Sequence, residues 1–133
     1  MPPRIGPPPG AATIEAMARA VFARIPDPFA AHLDGIRVIV AEFADNETLG
    51  VLGIEDPWDL SGLYHGRPMD EESVWATGEL PPLITLYRGP ILLEWIETGA
   101  ELEALVAHVV IHEVGHHFGL SDEQMHAIEN SRA

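Results

Sequence analysis

The chain has 133 residues, 47% of them apolar, which suits one globular domain with a real core. Asp and Glu number 21 against 7 Lys and Arg, and the resulting formal charge of −14 argues against partners such as nucleic acid or an anionic membrane. Cysteine is absent, which excludes disulfides and thiolate metal sites together.

No apolar run approaches the roughly 20 residues that a membrane span requires. The opening Met1-Pro2-Pro3-Arg4-Ile5-Gly6-Pro7-Pro8-Pro9-Gly10 has no hydrophobic core of the secretory type, so a cytoplasmic protein is expected. Residues 1–11 read as a Pro-rich flexible tail and residues 12–133 as a single domain. Ile14, Met17, Ala18, Val21, Phe22 and Ile25 recur at helical spacing. Thr13 is the expected N-cap of that helix, and Pro26-Asp27-Pro28 its stop. Ile36 to Phe43 is rich in β-branched residues and predicts a strand.

Residues 44–82 carry weaker signals: Asp56-Pro57-Trp58, a short strand over Gly62-Leu63-Tyr64-His65, and an acidic stretch bounded by prolines. Leu83 to Tyr87 predicts another strand, entered through Pro81-Pro82 and left at Gly89-Pro90. A short helix is expected over Ile91 to Ile96, ending near Thr98-Gly99. A long one is expected from about Ala100 to Phe118, with Gly119 turning the chain. Ser121 can cap a last helix carrying Met125 and Ile128.

The chemistry is concentrated in His112-Glu113-Val114-Gly115-His116-His117-Phe118-Gly119-Leu120-Ser121-Asp122, a run of the form H-E-x-x-H-x-x-G-x-x-D. At 100° per residue, His108, His112 and His116 form one stripe, and Val106, Val110, Val114 and Phe118 lie opposite it. A helix with an apolar back and an imidazole front lines a cleft. His108 and His116 stand eight residues apart, about 12 Å along the axis, so one ion held at about 2.0–2.1 Å from each nitrogen cannot bridge them. Only adjacent pairs can share an ion. The pair His112/His116 is chosen because Glu113 follows its first histidine, whereas Val109 follows His108.

Gly119 can take positive φ and turn the chain back, which makes Asp122 the expected third ligand and leaves a fourth position for water. Glu113 is the expected general base toward that water, passing the proton on to a leaving amine. Its apolar neighbours Val110, Ile111 and Val114 argue for a buried setting rather than a surface ion pair. His126 and His108 are expected as partners behind the ligands, with His126 also an alternative ligand, and His117 as a polar residue near the rim. Zinc is the expected cofactor. Because a carboxylate ligand is harder than imidazole, Mn²⁺ and Fe²⁺ are compatible with the same donors.

The run from His112 to Asp122 resembles the extended zincin signature of metzincin-type peptidases, in the variant with Asp as third ligand. The chain as a whole is similar to a family of small bacterial zincin-like metallopeptidases. The similarity covers most of residues 13–130, including Leu60 to Pro68, Pro82 to Pro90 and the motif helix. It implies an α+β fold: a small mixed sheet packed on a central motif helix, with zinc held by His112, His116 and Asp122 and with Glu113 as base. It also implies a peptide or protein substrate bound along a sheet edge, for which Leu83–Tyr87 and Gly62–His65 are both candidates. Full metzincins carry a Met-turn well beyond the third ligand. Only 11 residues follow Asp122 here, so a minimal site without that turn is expected, with Met125 in the core.

The leading expectation is therefore a zinc-dependent peptidase. Two alternatives stand beside it: a hydrolase of a non-peptide amide, and a non-catalytic binding or regulatory domain in which the ion ties the last helix to the motif helix.

Overall fold

A computed structural model describes residues 8–27, 29–33, 35–66 and 82–131, with the side chains of Asp122 and Ser131 also outside the description. The acidic Pro-bounded stretch falls in residues 67–81 and lies outside the described residues, as do Arg67 and Pro68 of the similarity noted above.

The fold is α+β. Helix α1 spans Ala11–Ala23, strand β1 Arg37–Ala41 and helix α2 Asn46–Leu52. Strands β2 (Gly62–His65) and β3 (Leu83–Tyr87) follow, then helices α3 (Arg88–Thr98), α4 (Leu102–Phe118) and α5 (Asp122–Ser131). The three strands form a mixed sheet in the order β1-β3-β2. β3 runs parallel to β1 (Val38 opposite Ile84) and antiparallel to β2 (Tyr64 opposite Ile84).

Helix α1 begins three residues earlier than expected, with Gly10 and not Thr13 at the cap. Ala11 and Ala12 carry the highest helix propensity and extend the first turn back to Gly10. The segment ahead of it is tied down, because Arg88 donates from Nε to the Pro9 carbonyl at 2.7 Å. Helix α2 had not been expected. Its signals are local but brief: Asp45 accepts from the Thr48 amide at 2.7 Å, and Gly53 ends the helix at φ 70°. Helix α3 starts directly from β3, three residues before the expected Ile91. Pro90 fits its first turn, where a missing N–H costs nothing.

Alternation along the strands divides the core. Val38, Ile84 and Leu86 face the main cluster, with Val40 and Tyr64 packed at its margin. That cluster contains Ile14, Ala18 and Val21 of α1, Val106, Val110 and Val114 of α4, and Met125 and Ile128 of α5. The opposite sheet face carries a smaller cluster in which Tyr87 meets Leu49 and Ala44, with Ala41 and Leu63 alongside.

The α4–α5 junction follows from its sequence. Gly119 adopts φ 67°, Leu120 N–H donates to the Gly115 carbonyl at 2.9 Å, and Gly119 N–H donates to the His116 carbonyl at 3.2 Å. These are the paired bonds of a Schellman turn. Ser121 and Gln124 then form a capping box: Gln124 N–H donates to Ser121 Oγ at 3.2 Å, and Ser121 N–H to Gln124 Oε1 at 2.9 Å. Gly115 permits the return, because a Cβ there would meet Met125 at 2.5 Å. Substituting Gly119 by Ala places a side chain in the left-handed region and should cost about 1–2 kcal/mol. Chemical denaturation of the metal-free protein measures this, and an unchanged midpoint would contradict it.

Candidate active site

The imidazole stripe of α4 lies along the border of the core. His108 and His116 are exposed, His112 is half-buried, and Val106, Val110 and Val114 on the opposite side are fully buried. Glu113 is turned inward and is only 7% exposed. It reaches strand β2, which crosses α4 very closely. A Cβ on Gly62 would sit 2.5 Å from Val109 Cγ1 and 3.4 Å from Glu113 Cγ, so only glycine admits this approach.

Of the two candidate edges, β3 is the central strand and is paired on both sides, whereas β2 is terminal among the described strands. The Tyr87 amide donates to the Ser61 carbonyl at 2.9 Å. In an antiparallel ladder this directs the backbone groups of 61, 63 and 65 toward β3 and those of Gly62 and Tyr64 outward. The outward Tyr64 amide hydrogen-bonds the Glu113 carboxylate. Glu113 Oε1 also lies 3.0 Å from His116 Nδ1. The carboxylate thus bridges the strand edge and the second histidine of the motif. Leu63, Tyr64 and His65 form one wall of an adjoining cavity of about 380 Å³, closed by Thr48, Val51 and Leu52 of α2.

Burial pushes the Glu113 carboxyl above its ordinary range, while His116 and the Tyr64 amide pull it part of the way back. The Tyr87 phenol is raised too, chiefly by burial and further by the charges of Asp45 and Glu113.

His117, expected near the rim, is instead a core residue at 4% exposure. Its Nδ1 lies 2.8 Å from the Tyr64 hydroxyl, and its ring packs edge-on against Tyr64 and Phe118. One position beyond His116 on the helix is 100° round the axis, and β2 covers that side. The Tyr64–His117 bond and the Gly62 contact therefore attach β2 to α4 on either side of Glu113. Nothing local in the sequence links Tyr64 to His117, which are 53 residues apart.

The remaining site residues lie on α5 and the first part of α4. His108 rests its ring on that of His112, with centroids 4.3 Å apart, and points Nδ1 at Glu129 of α5. His126 is exposed on α5. The Asp122 side chain lies outside the described residues; its backbone opens α5, immediately after the capping Ser121.

The donors fit a zinc ion as far as the described side chains extend. His112 and His116 stand one turn apart on one helix face, and the bond from His116 Nδ1 to Glu113 leaves Nε2 as the ring nitrogen that would face an ion. Among the described residues no group of three or more His, Cys, Asp or Glu is placed to hold an ion.

A family model for zincin-like metallopeptidases matches residues 33–132, which takes in all three strands and the whole of α4. The chain belongs to this family. Membership implies a bound metal, typically zinc, and a peptidase ancestry. Helix α1 precedes the matched stretch, yet its Ile14, Ala18 and Val21 are part of the same core cluster as the zincin helix α4. No curated protein matches the chain. Among the described residues no helix is long and apolar enough to cross a membrane.

Two outcomes follow for the zincin site. Gly62→Val should force β2 off α4 and cost about 1–3 kcal/mol by overpacking, read from denaturant midpoints. Glu113 carries a pH signature: its folded pKa is raised, so folding favours the protonated form. The stability this gives is complete below the ordinary carboxylate range and is lost as pH rises through the raised value. Metal-free Glu113→Gln, which cannot ionise, should therefore gain stability relative to wild type as pH rises across that window. A difference that does not vary with pH would contradict the assignment.

Proposed function

We propose that the protein is a zinc-dependent peptidase that holds its ion through His112, His116 and Asp122, uses Glu113 as general base and binds an extended peptide along β2. The observation that carries this reading is the position of Glu113: a buried carboxylate shared between an outward-facing backbone amide of an edge strand and a motif histidine. Zinc, when bound, would supply a Lewis acid that polarises the scissile carbonyl and acidifies a water.

The rest of the chemistry belongs to the chain's own groups. An ionised carboxylate offers about four acceptor sites, and the contacts to Tyr64 and His116 occupy two, so Glu113 keeps capacity to take a proton from the attacking water. Its raised pKa suits a base that must also release that proton to the departing amine. The Glu113–His116 bond favours the tautomer with the proton on Nδ1 and so orients the ring's other nitrogen outward. The outward backbone groups of Gly62 and the outward carbonyl of Tyr64 can add a substrate strand to the sheet, while the Tyr64 amide stays on Glu113; this aligns the scissile bond over α4 without reading its side chains. The cavity bounded by Leu63, Val51 and Leu52 lies beside that edge and can accept an apolar substrate side chain.

The test combines metal analysis with cleavage of a peptide library. Wild type should bind zinc stoichiometrically and cleave peptides. Glu113→Gln should retain zinc and lose about 10²–10⁴-fold in turnover, the usual contribution of a positioned acid–base group. His116→Ala and Asp122→Ala should each lose zinc affinity. A Glu113→Gln variant as active as wild type would refute the mechanism.

A further inference from the structure

The pairing of His108 with Glu129 is unused by the chemistry above, although both residues lie close to it. His108 Nδ1 stands 3.2 Å from one carboxylate oxygen of Glu129 and 3.4 Å from the other, and its ring lies against His112 with the planes tilted by 50°. A carboxylate can only accept, so Nδ1–H of His108 is the donor and its ring plane is set by Glu129. At that tilt and a centroid separation of 4.3 Å, the His108 ring abuts the His112 imidazole. Glu129 is also a marker of how α5 lies on α4. Positions 122 and 129 are seven residues apart, about 20° short of two full turns, and so share one face of α5. Met125 lies between them, seated on Gly115.

We propose that His108 and Glu129 act together as a latch for the metal centre. The pair positions the His112 ring from behind and sets the rotation of α5 on α4, so that zinc affinity depends on two residues that do not touch the ion. This inference rests on the assignment of His112 as a metal ligand in the proposed function. The pair is partly solvent-exposed, with 47% of the His108 and 26% of the Glu129 side chain accessible, and such pairs contribute little to global stability. Its effect belongs in metal binding rather than in the melting temperature. His108 and Glu129 are positioning residues, and the ion's own ligands remain those named above.

The experiment is zinc competition against a chromophoric chelator with the full chain, using His108→Phe, Glu129→Ala and the double variant. His108→Phe keeps a flat ring against His112 and removes the donor. Each single variant should weaken zinc binding about tenfold, the lower end of what outer partners of metal ligands contribute. The double variant should be no weaker than either single one, since both break the same unit. Glu129→Gln, which can still accept from Nδ1–H, should restore most of the affinity. Cobalt substitution should show shifted visible bands in His108→Phe and Glu129→Ala but not in Glu129→Gln.

A wild-type measurement stands beside these: zinc should slow hydrogen exchange of the α5 amides. Unchanged zinc affinity in the single variants, additive losses in the double, or α5 exchange indifferent to zinc in wild type would each overturn the latch. A wild-type protein that binds no zinc would refute the metal centre itself and the latch with it. Wild type that binds zinc alongside indifferent variants would refute the latch alone.

Discussion

The close crossing of β2 over α4 at Gly62 is the constraint on which the rest of the site depends. With no side chain at that position, the strand backbone descends onto the helix until Val109 and the stem of Glu113 fill the space. A carboxylate caught in that junction loses water on most sides. It remains hydrogen-bonded because the outward Tyr64 amide and His116 Nδ1 both point at it. The same approach brings a strand edge and one motif histidine, His116, to one carboxylate.

The crossing is secured from both sides of the helix. The hydroxyl of Tyr64 meets the buried His117, and the turn at Gly119 returns α5 so that Met125 lodges on Gly115. Consecutive residues of α4 therefore have different tasks. Glu113 and His117 face the sheet, Gly115 faces α5, and His112 and His116 face outward. The helix has little room for substitution over this stretch because it is in contact on nearly every side.

Membership in the zincin-like family and this geometry point the same way, and they do so through different residues. The family match runs over the strands and the motif helix. The physical case for hydrolysis rests on the environment of one carboxylate, and the latch rests on two residues of α4 and α5 that carry no motif. The proposed metal centre would then be a property of two docked helices and an edge strand rather than of the eleven-residue motif alone.

The sequence by itself determined whatever depends on neighbours along one helix or strand. The His112/His116 face with its apolar back, the stop at Gly119, the Ser121 cap and the strands at 62–65 and 83–87 all follow from periodicity and local hydrogen bonding. Helix α2 was missed because seven residues give periodicity too little length, although its Asp45 cap and Gly53 stop were present. Thr13 was a misleading cap because the helix-favouring Ala11 and Ala12 precede it. Only the tertiary structure decided that β3 is central and that β2 is the terminal strand beside α4 among the described residues. It alone also decided that His117 is buried against Tyr64 and that Glu129 faces His108. The physical reason is the same in each case: strand order and helix docking are set by contacts between residues far apart in the chain, and no local pattern records which distant side chain will fill the space beside a given one.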